Sequence, residues 1–120
     1  MASNSTLLLK GSLTQSRVNG TEHILPLLRG VTDVSEVSIR DWVAQGSVSA
    51  LPVPLGVQGS ACAVIISTDR PIVVHVNAAN SAGIECGSLF VVMDTSVTGL
   101  WVDNVGTDPA SFEVWAVQRI

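Results

Sequence analysis

Hydrophobic and polar positions alternate along this chain in short runs, with turn-forming residues between them. Val37, Ile39, Asp41 and Val43 alternate with Ser38, Arg40 and Trp42, a period of two that predicts a strand over 34–43. Asp33 and Glu36 also stand at capping-box spacing, so a short helix from Asp33 competes. The alternation favours the strand. Thr6 to Thr14 reads as a first strand broken by Gly11. His23 to Leu28 is interrupted by Pro26 and suits an edge strand or loop, and Pro52 and Pro54 confine Leu51 to Val57 to an extended edge. Ala61–Ser67, Ile72–Asn77, Leu89–Asp94, Leu100–Asn104 and Phe112–Arg119 follow as strands. Between them stand the turn signals Asn19-Gly20, Thr68-Asp69-Arg70-Pro71, Ser96–Gly99 and Gly106-Thr107-Asp108-Pro109, with a small polar loop over 77–83. About eight short strands, punctuated roughly every 8–12 residues, predict an all-β fold, an antiparallel β-sandwich or barrel. No ten-residue helical pattern interrupts them. The length suits one domain over 1–120, with residues 1–6 expected as a flexible N-terminal arm.

Three strands are apolar on both faces: Ala61–Ile66, Ile72–Val76 and Leu89–Met93. The outer face of an antiparallel sheet is normally polar, so these strands need a second cover. Composition sharpens the point. Hydrophobic residues make up 47% of the chain and charged residues only 13%, against a usual charged share of about 25%. So few charges point to burial beyond the subunit's own core, most simply against a further subunit. Valine, with nineteen copies, is the commonest residue, which suits pleated surfaces. The net charge of −4 and the single lysine, Lys10, argue against nucleic acid and against a polybasic membrane site. No apolar run reaches the roughly 18 residues of a membrane span. The polar start Met-Ala-Ser-Asn-Ser-Thr has no signal-peptide character, so synthesis in the cytoplasm is expected. On that reading the sequons at Asn4 and Asn19 are chance matches.

Candidate chemistry is sparse. There is no GxSxG elbow and no SxxK. His75 lies inside the strand IVVHVN and reads as a satisfied structural residue rather than a general base. His23 has no partner nearby, and the two histidines show no metal-ligand spacing. Gly56-Val57-Gln58-Gly59-Ser60 lacks the lysine of a phosphate loop and reads as a turn. Asp94, Asp103 and Asp108 stand near strand ends, where paired carboxylates do acid–base work in glycosidases; spread over three loops, they read as turn and solubility residues. They also lack a calcium-loop pattern. Cys62 and Cys86 fit no zinc or redox motif and read as small buried hydrophobes, with a cross-strand disulfide left open. Trp42, Trp101 and Trp115 read as core or interface anchors, with sugar stacking as the alternative. The expectation is a protein that is not an enzyme, with no catalytic, cofactor-binding or metal-binding residues.

The run Ala63 to Asn77 (AVIISTDRPIVVHVN), then Leu89-Phe90-Val91-Val92-Met93, then Thr98 to Thr107 (TGLWVDNVGT), resembles small β-sandwich virion structural proteins of tailed bacteriophages, of the head-decoration or cement type. The likeness covers about residues 50–120. It implies a jelly-roll-like sandwich, a homo-oligomer with a trimer favoured, seated on the capsid surface of a virion and tying major capsid protein subunits together. An arm within the first fifty residues would dock on the lattice. The alternatives are a tail or neck component of the same kind of particle and a carbohydrate-binding, lectin-like module.

Overall fold

The structure is a computed structural model that describes residues 5–16, 20 and 22–119. Among the described residues nine strands form two sheets: β1 (Ser5–Ser16), β2 (Glu22–Ala44), β3 (Val48–Pro52), β4 (Ala61–Thr68), β5 (Ile72–Val76), β6 (Ile84–Cys86), β7 (Leu89–Val97), β8 (Leu100–Asn104) and β9 (Ala110–Arg119). Sheet A runs β1-β2-β9-β4-β7, and sheet B runs β3-β8-β5-β6. Every pairing is antiparallel. There is no helix among the described residues, so none is long and apolar enough to cross a membrane. The all-β antiparallel expectation therefore holds, with nine strands in place of about eight. Ile84–Cys86, the addition, is too short to show a period.

The pairings nest. β2 lies beside β9, β3 beside β8, β4 beside β7 and β5 beside β6. The chain from β2 to β9 is thus one long hairpin folded back on itself, and the pairings of β4 with β9 and of β5 with β8 close the two sheets.

Alternation explains the core. On β4, Val64 and Ile66 point between the sheets; on β9, Phe112, Val114 and Ala116 do the same. They meet Ile72, Val74 and Cys86 of sheet B together with Leu100 and Val102. Polar satisfaction at one end of this core rests on Asn104, which is 2% exposed. Its Nδ2 donates to the carbonyls of Ala44 (3.0 Å) and Asp108 (2.8 Å), and its Oδ1 accepts from the amide of Gly106 (3.1 Å). Close by, Gly46 packs so tightly on the backbone of Thr107 that a Cβ there would collide with its carbonyl.

β2 departs most from expectation. It is one strand of 23 residues, with no helix at Asp33. It has two partners in succession, β1 along its first half and β9 along its second, and the register shifts once in each pairing, between Ser5 and Leu7 and between Val34 and Glu36. Gly11 does not break β1; it pairs with Leu27. Pro26 lies where β2 has only β1 beside it, so its missing amide hydrogen leaves no second partner strand short of a bond. Residues 1–4 of the expected arm lie outside the described residues, and Ser5 and Thr6 belong to β1. What projects is the β1–β2 ribbon. The radius of gyration is 16.1 Å, against roughly 14 Å for a compact chain of this length.

Candidate interaction surface

Sheet A has a second apolar surface, on the side away from the core. Cross-strand partners share a face, so the registers give its rows directly. Ile39 lies opposite Trp115, Trp115 opposite Ile65, and Ile65 opposite Val91. The next row is Val37, Val117, Ala63 and Met93. Ala63, Ile65, Val91 and Met93 among them are the outward positions of β4 and β7, whose sequences are apolar on both faces.

The base of the ribbon covers part of this face. Val31, Val34, Ala63 and Val117 are buried together, with Leu7, Cys62 and Met93 packed on them. A cavity of about 220 Å³, lined by Leu7, Leu8, Leu9, Ile65, Met93 and Trp115, separates the ribbon base from the sheet. Beyond it the cover ends. Ile39 and Val43 are each 52% exposed. The ribbon itself exposes Leu8, Leu13, Ile24, Leu25 and Leu28. A two-stranded ribbon is marginal by itself in water, and this one carries large aliphatic side chains into solvent.

The third row of the face is charged. Asp41 lies directly opposite Glu113, beside Ser67 and Leu89. Like charges opposite one another on a sheet repel. The indole Nε1 of Trp115 donates to Oε1 of Glu113, and neither carboxylate has an ion-pair partner among the described residues.

His75 stands on the outer face of sheet B. Its Nδ1 is 2.7 Å from the carbonyl oxygen of Ser81, and its Nε2 is 2.7 Å from Oδ2 of Asp103. A carbonyl and a carboxylate on the two ring nitrogens favour the protonated ring, which donates to both. The Asp103 hydrogen bond is the main reason that the His75 pKa is raised, followed by the Ser81 carbonyl. Asp103 is held below its ordinary value, first by the amide of Ala50, which donates to Oδ1 at 2.6 Å, and then by His75. The side chains are 13% and 20% exposed. The dyad clasps β5, β8, the 77–83 loop and β3 together.

The other singled-out residues fall apart in space. Asp94 pairs with Arg119 at 2.7 Å and Asp108 with Arg70 at 3.4 Å, so the three aspartates do not converge. No group of three or more His, Cys, Asp or Glu among the described residues is placed to hold a metal ion. The side chain of His23 lies outside the described residues. Cys62 and Cys86 are free thiols in different clusters, Cys62 under the ribbon and Cys86 in the core, where burial pushes its pKa up. The tryptophans lie on three different surfaces: Trp115 outside sheet A, Trp101 outside sheet B beside His75, and Trp42 against the core. The sequence missed the ribbon as a unit and the opposed Asp41–Glu113 pair. The Asn19-Gly20 turn signal between two apolar runs was the available clue to the first.

No protein-family model matches the chain, and no curated protein sequence does.

Proposed function

We propose that this protein is a structural subunit of a virion, a decoration (cement) protein that binds the outer capsid lattice and stabilises it by the surface that it buries. The observation that carries the reading is the second apolar surface: the exposed Ile39, Val37 and Val43 on sheet A, together with the exposed leucines of the ribbon. A monomer has no use for such an area, whereas a subunit of an assembly does. The nested pairing adds support. Eight strands, β2 to β9, split four and four with partners 2–9, 3–8, 4–7 and 5–6, which is the pattern of a jelly-roll sandwich, an architecture that viral capsid domains use. That second argument is an analogy of fold. The sequence likeness over residues 50–120 points the same way.

On this reading the partners are further copies of the chain, a trimer being favoured, and the major capsid protein. The ribbon, rather than a loose N-terminal arm, is the element that reaches them. The test is co-sedimentation of the full chain with emptied tailed-phage capsids. Saturable binding at a fixed number of copies per lattice site supports the reading. Polymerisation into open tubes would move the protein to the tail, and a tryptophan fluorescence change on a glycan panel, with no capsid binding, would replace the reading with a lectin.

A further inference from the structure

The part of the outer face of sheet A beyond the ribbon base, with Val37, Ile39 and Val43, is uncovered, as are the leucines of the ribbon, and the two differ in the sign of their charge. Lys10, Arg17 and Arg29 stand against the single acid Glu22 in residues 1–32, a net of +2. The remaining residues, 33–120, therefore carry −6 of the chain's −4. Among the described residues Lys10 and Arg29 make no ion pair. The opposed Asp41 and Glu113 edge the apolar rows of the face.

We propose that the β1–β2 ribbon of one copy lies across the outer face of sheet A of a second copy. Four observations choose a second copy over any other occupant. The ribbon offers exposed aliphatic side chains on both of its sides: Leu8, Leu28 and Ile24 share one, and Leu13 and Leu25 share the other. The face offers a matching strip, Ile39-Trp115-Ile65-Val91. Lys10, paired with Leu28 in the register, supplies a cation on the Leu8, Leu28 and Ile24 side that relieves the Asp41–Glu113 repulsion, and Arg29, paired with Leu9, puts a second cation on the opposite side of the ribbon. Continuity is the fourth: the ribbon base already packs Leu7 and Val31 on this face within one chain, so the same kind of contact extends across copies. The contact is heterologous, ribbon to face, and such contacts close into rings when the rotation permits. This rests on the reading of the chain as an assembling subunit and names one of its partners as itself.

Charge reversal tests the contact with folded proteins, since the altered side chains of Lys10, Arg29 and Asp41 are exposed. The ribbon variant is Lys10→Glu with Arg29→Glu. The face variant is Asp41→Lys with Glu113→Gln, which keeps an acceptor for the Trp115 indole. Light scattering after gel filtration reads the assembly, and circular dichroism checks the fold of each. The wild-type chain is expected to be an oligomer, and each variant alone is expected to dissociate at least tenfold more readily. An equimolar mixture of the two regains association, because the ribbon of each variant finds its complement on the face of the other; the two must alternate, so the mixture completes assemblies of even number and leaves one mismatched contact in a ring of three. A wild-type monomer, variants that assemble like the wild type, or a mixture that stays apart would each overturn the proposal. Copies that assemble regardless of these variants and still bind capsids would leave the virion reading standing without this contact.

Discussion

Ile66 and Ile39 provide a direct contrast between the two apolar surfaces. Ile66 is fully buried between the sheets, with Val114 on one side and Phe90 on the other. Replacing it by alanine removes three carbon groups at about 0.8 kcal/mol each. The surrounding strands are held by their ladders and relax little, so a cavity term brings the loss to about 3–4 kcal/mol, within the usual range for such changes. With a urea dependence of about 1.5 kcal/mol/M, the unfolding midpoint falls by roughly 2 M. Ile39 is half exposed on the outer face of sheet A. In a dilute, dissociated subunit Ile39→Ala costs less than about 1 kcal/mol. At concentrations where copies associate, the same variant loses the stabilisation that association adds, because binding to the native state alone raises its apparent stability. Urea unfolding of both variants at low and high protein concentration gives four midpoints. The reasoning fails if Ile66→Ala moves the midpoint by less than about 0.5 M, since the core would then lie elsewhere. It fails equally if the Ile39→Ala difference from wild type is the same at both concentrations.

Two further outcomes follow from the polar contacts. Asn104→Ala removes three hydrogen bonds at a buried site and strands the Ala44 carbonyl, at an expected cost of about 2–4 kcal/mol in thermal or urea unfolding; Asn104→Asp, which sets a carboxylate against two carbonyls, costs at least as much at neutral pH and recovers in acid. The His75–Asp103 clasp gives a pH window. The raised His75 pKa adds stability that is complete below about 6.5 and is lost as pH rises through its folded value, whereas the lowered Asp103 pKa adds stability that is present above about 3.9 and is lost as pH falls through its folded value. Wild-type midpoints measured from pH 5 to 9 should therefore fall relative to those of His75→Gln. Parallel profiles for the two proteins would remove the imidazolium from the account.

Much of this was legible in the sequence, and the boundary of what was legible has physical causes. Apolar runs between turn signals located β4, β5, β7 and β9, alternation marked the strand over 34–43, and apolar residues on both faces of Ala61–Ile66 and Leu89–Met93 signalled a second surface before its geometry was known. Period two is local, so it survives in one chain. Partnership is not local. The continuous β2 was obscured because Pro26 reads as an interruption and Asp33 as a competing helix start, while the pairing with β1 that carries the strand past Pro26 lies in a different segment. His75 was read as a satisfied residue, but its partner Asp103 lies 28 residues away and was read as a turn carboxylate. The opposition of Asp41 and Glu113 depends on a register between the second and last strands, which no window along the chain contains.

Native mass spectrometry of the full chain, across a range of micromolar concentrations, tests the central claim that function here resides in surface buried against other subunits. The account predicts a closed oligomer, with three copies favoured, that dissociates on dilution. A strict monomer at every concentration, together with no retention on emptied capsids, would contradict it.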